Sequence, residues 1–148
     1  MERAQPAKKM EKSCKSRNLR CTENRKLVYE LLHNREGTAS AYQILEEYCA
    51  ARGKTAPMTV YRALDFLVNS GLAYKVNSQS MYIACNDPES NLKSQFLICV
   101  SCGEVLEFNM ESDLNNQIES CASELGYEIC AHPIELQGVC SKCKDEHY

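Results

Sequence analysis

With 148 residues the chain has room for one large domain or two small ones, and it holds no apolar run near the ~18 residues that cross a membrane. No apolar segment with a cleavage site opens it either, so a soluble, cytosolic protein is expected, without membrane partners or structural disulfides for all ten cysteines. The formal charge of −3 hides an asymmetry: residues 1–75 carry 14 Lys and Arg against 8 Asp and Glu (+6), residues 76–148 only 3 against 12 (−9). A basic half joined to an acidic half suggests one domain for a polyanion and another for a different task.

Along the chain, Met1 to Lys12 is polar and basic and reads as a frayed arm or weak first helix. Thr22 is a good N-cap for a helix carrying Leu27, Val28, Leu31 and Leu32, broken at His33 to Gly37. Ser40 and Gln43 form a capping box for a second helix that buries Ile44, Leu45 and Tyr48 and ends near Gly53. Pro57 and Thr59 open a third, with Val60, Leu64 and Leu67 on one face, Ala63 and Phe66 beside them, and Gly71 as its stop. Leu72 to Val76 and Met81 to Ala84 alternate around Asn77-Ser78-Gln79-Ser80 and predict a β-hairpin. Three helices and then a hairpin is the order of a winged helix, a helix-turn-helix variant that sets one helix in the major groove of DNA.

Residues 86–94 are polar and turn-rich and read as a linker between a domain over 1–85 and one over 95–148. Beyond it, strands are expected at Gln95 to Val100 and Val105 to Phe108. A helix over Met110 to Leu125 follows, with Leu114, Ile118, Cys121 and Leu125 as its apolar stripe and Gly126 as its stop. Tyr127 to Leu136 reads as a last strand. The fold class is therefore α+β: a winged helix-turn-helix domain plus a small α/β domain, too small to be comfortable without a staple or a second copy.

The staple is legible. Cys99-Val100-Ser101-Cys102 and Cys140-Ser141-Lys142-Cys143 are two C-x-x-C pairs, each putting two thiolates on one tight turn. Together they supply the four sulfurs of a closed tetrahedral zinc site, with no open position for chemistry. The six other cysteines, Cys14, Cys21, Cys49, Cys85, Cys121 and Cys130, read as small buried hydrophobes, with Cys85 the exception treated below. An enzyme reading fails. His132-Pro133-Ile134-Glu135 ahead of Cys140 has the wrong spacing for a zinc deaminase, and no phosphate loop or nucleophile elbow occurs. No small-molecule substrate is expected.

Thr59-Val60-Tyr61-Arg62-Ala63-Leu64-Asp65-Phe66-Leu67 with Ser70-Gly71-Leu72 resembles the recognition helix and wing of the ferric uptake regulator family. With Ser40-Ala41-Tyr42 and Cys85 it looks most like the zinc uptake regulator branch. Phe96 to Phe108 and His132 to Cys143 are similar to the family's dimerisation domain. The resemblance implies a dimeric, metal-linked transcriptional repressor of zinc uptake genes that binds double-stranded DNA at a palindromic operator. Arg62 suits bidentate recognition of guanine, and Tyr61 a thymine methyl or a phosphate. Thr59, Tyr42, Arg20, Arg25 and Lys26 suit phosphates.

The resemblance also implies a sensor site of His, Cys and Glu between the domains, and here the chain departs from it. Cys85 and Glu107 stand at the family's positions, but Tyr74 and Leu92 replace two histidines, and His132 is a further candidate ligand. Tyr and Leu cannot stand in for two imidazoles in a zinc shell, so a second, regulatory metal is not expected from these residues alone. Three readings stay open: zinc sensed with Asp87, Glu89 or His132, another signal such as oxidation of Cys85, or no second metal. A zinc-stabilised interaction module without DNA binding is the rival from another class.

Overall fold

The computed structural model describes residues 6–35, 37–85, 88, 94–109, 112–129 and 133–145. The chain divides into two compact units, Met1–Glu89 and Ser90–Tyr148.

The first unit is four helices and a hairpin: α1 (Pro6–Ser16), α2 (Glu23–His33), α3 (Ala41–Arg52), α4 (Pro57–Asn69), β1 (Ala73–Val76) and β2 (Met81–Ala84). Local chemistry sets the helix starts. The Thr22 hydroxyl accepts from the Arg25 N–H, and Ser40 and Gln43 close a reciprocal capping box. Pro57 sits at the first position of α4, where its missing N–H costs nothing. Gly53, with φ 86°, ends α3 in a conformation that favours glycine.

Of the two readings of the N-terminal arm, a frayed segment or a weak first helix, the helix is the one found, and α1 runs past Lys12 to Ser16. Met10 and Cys14, four residues apart, fall on one face and are fully buried against the core. The surrounding lysines made the segment look unstructured, yet they occupy the other faces. Arg17, just after α1, donates to the carbonyls of Ser70 and Pro88, tying the arm to the far end of α4. Val28, Tyr29 and Leu32 of α2, Ile44 and Tyr48 of α3, and Val60, Ala63, Leu64 and Leu67 of α4 complete the core.

In the hairpin, β1 and β2 pair antiparallel from Ala73↔Ala84 to Val76↔Met81. Ala39, between α2 and α3, exchanges two backbone hydrogen bonds with Tyr82 of β2 at 2.9 and 2.7 Å, so the wing is pinned to the helices.

The second unit is a three-stranded sheet with two helices: β3 (Ser94–Cys99), β4 (Val105–Asn109), α5 (Ser112–Glu124), β5 (Glu135–Gly138) and α6 (Ser141–Asp145). The strand order is β4-β3-β5, with β4 antiparallel and β5 parallel to β3. Phe96 and Ile98 of β3 are buried. Gly126, with φ 79°, terminates α5, and the Tyr127 N–H reaches back to the Ala122 carbonyl at 2.9 Å.

Here too a boundary is corrected. Tyr127 to Ile129 are not in a strand, residues 130–132 lie outside the described residues, and β5 is confined to Glu135–Gly138. Alternating apolar residues suggested a longer strand, but pairing extends only where β3 offers free backbone groups, Phe96↔Glu135 through Cys99↔Gly138. The short α6, absent from the sequence reading, carries the last cysteine pair. The expected apolar stripe on α5 is present but uncovered: Leu114 and Leu125 are exposed, as is Cys121, which is therefore not the buried hydrophobe anticipated.

Candidate metal centre and nucleic-acid interface

The β3–β4 turn and the start of α6 converge. A sharp turn after β3 is closed by the Gly103 N–H to the Cys99 carbonyl at 2.9 Å, with Gly103 at φ 77°. The parallel register of β5 ends at Cys99↔Gly138, which delivers Cys140 beside Cys99. The four sulfurs of Cys99, Cys102, Cys140 and Cys143 lie within 4.8 Å of one another, and Cys102 and Cys140 Sγ are 3.8 Å apart. Zinc–sulfur bonds of ~2.3 Å in a tetrahedron require sulfurs about 3.8 Å apart. The donor set fits zinc in number, softness and spacing. Among the described residues it is the one cluster of this kind.

The electrostatics of the thiols point the same way. Backbone N–H groups of Cys140 and then Cys102 hold the Cys99 thiol down to about 6, the Cys140 N–H reaching its sulfur at 3.3 Å. Cys143 is pushed up to about 12, first by its hydrogen bond with Cys140 and then by burial. Four neighbouring thiols cannot all ionise by themselves, whereas a divalent cation makes four thiolates stable together.

In the first unit, α4 buries Val60, Ala63, Leu64 and Leu67 and turns Met58, Tyr61, Arg62, Asp65 and Asn69 outward. Thr59 is half-buried at its first turn. Tyr42 projects from the first turn of α3, 64% exposed. The wing packs on the helices, β1 against α4 and β2 against α2. The Tyr82 hydroxyl is pushed up by burial and then by the Asp65 and Tyr61 charges of α4.

The basic residues of α2 and the segment before it are more engaged than the sequence suggested. The Arg25 guanidinium lies 3.7 Å from the centroid of the Phe66 ring and donates to the Arg20 carbonyl at 2.6 Å. Lys26 pairs with Glu11 at 2.7 Å and Glu23 at 3.4 Å, which pushes its ammonium pKa up and holds Glu11 down. Arg20 is exposed. Arg25 and Lys26 thus have internal roles that sequence spacing alone does not reveal.

At the end of the wing, Cys85 is fully buried and its sulfhydryl lies 3.3 Å from the Tyr74 hydroxyl, itself 5% exposed. Tyr29, fully buried on α2, finds no hydrogen-bond partner for its hydroxyl among the described residues. Burial and then the Cys85 sulfur push that hydroxyl up to about 12.

A family model described as the ferric uptake regulator family matches residues 16–137. This chain belongs to that family. It is 36% identical over 135 residues to the zinc uptake regulation protein of Escherichia coli, covering 90% of this chain and 78% of that protein. It is 27% identical over 133 residues to the zinc uptake regulation protein of Mycobacterium tuberculosis, covering 85% and 95%. Among solved structures it superposes on a zinc uptake regulator complexed with zinc and DNA, with a TM-score of 0.83 and 32% identity over 95% of this chain and 94% of the other. The family comprises transcription regulators, not enzymes.

Within the family frame, the positions of the expected sensor divide. Tyr74 and Cys85 meet in the first unit, and Glu107 lies half-buried on β4 of the second. Leu92, Asp87, Glu89 and His132 lie outside the described residues. Tyr74, expected from the resemblance to stand where the family has a histidine, engages Cys85, the cysteine expected as a ligand. Spacing could not reveal this, because the contact depends on the pairing of β1 with β2. Sequence reasoning also missed Met58, which helical spacing from Tyr61 and Arg62 would have placed on the exposed face of α4.

Proposed function

We propose that this chain is a dimeric, zinc-containing repressor of zinc uptake genes that binds a two-fold-symmetric operator. The observation that carries the reading is α4, which exposes Tyr61 and Arg62 on a helix anchored by a complete apolar face. The likeness to a zinc uptake regulator complexed with zinc and DNA supports it. In this reading residues 1–85 bind DNA, 86–94 form the hinge and 95–148 the dimerisation domain. Arg62 reads guanine, Tyr61 a thymine methyl or a phosphate, and Thr59, Tyr42 and Arg20 position the backbone, with Arg25 and Lys26 as weaker contributors.

Cys99, Cys102, Cys140 and Cys143 hold one structural zinc, which would supply folding energy and no catalysis. Dimerisation is supported by a row of three exposed leucines, Leu106, Leu97 and Leu136, directly opposite one another across β4, β3 and β5. A two-fold dimer calls for an operator with two matching half-sites.

The hydrogen bond between Cys85 and Tyr74 favours a second reading, in which the regulatory metal response is lost or altered. Cys85, Glu107 and His132 alone would leave an incomplete zinc shell, and the thiol already has a buried partner. Affinity for duplexes recovered from a random pool, measured against buffered free zinc with metal content counted, separates the two. A flat response at one zinc per chain, unchanged by Cys85→Ala, supports the altered regulator. A steep gain tied to a second zinc and abolished by Cys85→Ala restores a zinc sensor built from substitute ligands. No preference for recovered over scrambled duplexes leaves the interaction module instead.

A further inference from the structure

Among the described residues of the first unit, three large hydrophobic side chains are exposed, each within the first five residues of a helix. Tyr42 (64%), Met58 (56%) and Tyr61 (40%) all stand at the N-terminal ends of α3 and α4. Single exposed hydrophobics are ordinary, whereas two on one helix beside a guanidinium point to a ligand with apolar and polar features interleaved. Met58 lies three residues before Tyr61 and four before Arg62, so the three side chains share one face of α4. It is held at the second position of the helix, directly after Pro57.

We infer that Met58 is a sequence-reading residue that packs on the C5-methyl of a thymine in the major groove. This rests on the DNA-binding reading above and names a contact that reading leaves out. The thymine methyl is the apolar group that base edges present in the major groove. Methionine suits it, being unbranched, polarizable and able to adapt to a shallow contact. A carboxylate at this point would repel DNA and a lysine would seek phosphate, whereas a thioether does neither. Met58 precedes Arg62 by about 6 Å along the helix axis, roughly two base steps of DNA. The thymine is therefore expected one or two base pairs from the guanine that Arg62 reads, once in each half-site.

The test uses the full-length zinc-loaded protein and duplexes it recovers from a random pool, with each thymine replaced in turn by deoxyuridine, which lacks only the methyl. Wild-type affinity is expected to fall about threefold to tenfold at one thymine per half-site, less than for loss of a bidentate base contact. Met58→Ala is expected to bind the thymine and deoxyuridine duplexes equally while retaining the guanine preference, and Met58→Leu to recover part of the discrimination. Because Met58 is exposed, both variants should keep the wild-type circular dichroism spectrum. A Met58→Ala protein with the wild-type thymine-to-deoxyuridine ratio overturns the inference, as does a wild type indifferent to every replacement. A wild type that does not distinguish recovered from scrambled duplexes overturns the DNA-binding reading and this contact with it. Loss of the guanine preference in Arg62→Ala alone leaves that reading standing whatever Met58 does.

Discussion

The two units solve the problem of burial differently. In the first, every helix contributes to one apolar cluster, and the three large hydrophobics exposed among the described residues are ones proposed to meet DNA. In the second, nine large hydrophobics are exposed among the described residues, including the leucine row of the sheet, Leu114 of α5 and Leu125 just after it. A short chain cannot enclose a core with three strands and two helices, so its stability has to come from elsewhere. The four-cysteine cluster supplies one source and the uncovered face invites another. The first unit encloses its core, whereas the second is proposed to be completed by a metal and a second copy.

That contrast breaks most sharply at the metal. Cys102→Ser is expected to release the zinc and unfold or monomerise the second unit while the first stays helical. Structural zinc sites contribute on the order of 10 kcal/mol of folding free energy, the largest effect foreseen here. Metal content, sedimentation and hydrogen exchange on each unit check it, and a variant that stays dimeric with full zinc refutes the staple.

The converse substitution lies in the first unit. Leu64→Ala, at a fully buried position, should cost about 2–5 kcal/mol in that unit. Zinc content and dimerisation should be untouched. Urea titration followed by helical signal, with zinc counted in parallel, reads both, and loss of zinc here would mean that the units do not fold independently.

Changing the exposed leucine row sharpens the comparison further. Leu97→Lys, at a residue 41% exposed, should leave the zinc in place yet weaken self-association many-fold. A charge directly between Leu106 and Leu136 would have to be desolvated in any interface formed there. Sedimentation velocity at graded concentrations measures this, and an unchanged dimer would move the interface to another face.

On the DNA face smaller effects are expected. Arg62→Ala should cost roughly 1–3 kcal/mol on a preferred duplex and relax base choice at one position. An equal loss on all sequences would make Arg62 a phosphate contact. Smallest is Lys26→Ala, because the ammonium is already shared between Glu11 and Glu23 at the surface. Its effect on binding should be slight and the same for every sequence. Because Glu11 is held below its ordinary value by Lys26, whatever stability their pairing contributes is present above the usual carboxylate range and lost as the pH falls below it.

Much of this was readable in the chain itself. The capping box at Ser40 and Gln43, the stops at Gly53 and Gly126, the hairpin and the two C-x-x-C pairs are local signals whose physics acts within a few residues. The apolar stripe of α4 was legible for the same reason, since helical spacing is a property of sequence. What only the tertiary structure decided depends on contacts between distant segments. The parallel register of β5 on β3 brings Cys140 beside Cys99, and no spacing states that register. Met10 and Cys14 turn a basic arm into a packed helix only because α2 lies beneath them. Arg25 and Lys26 look like phosphate ligands until Phe66, Glu11 and Glu23 arrive beside them. The buried thiol–phenol contact of Cys85 and Tyr74 exists because β1 and β2 fold back on each other, and a sequence can name both residues without saying that they meet.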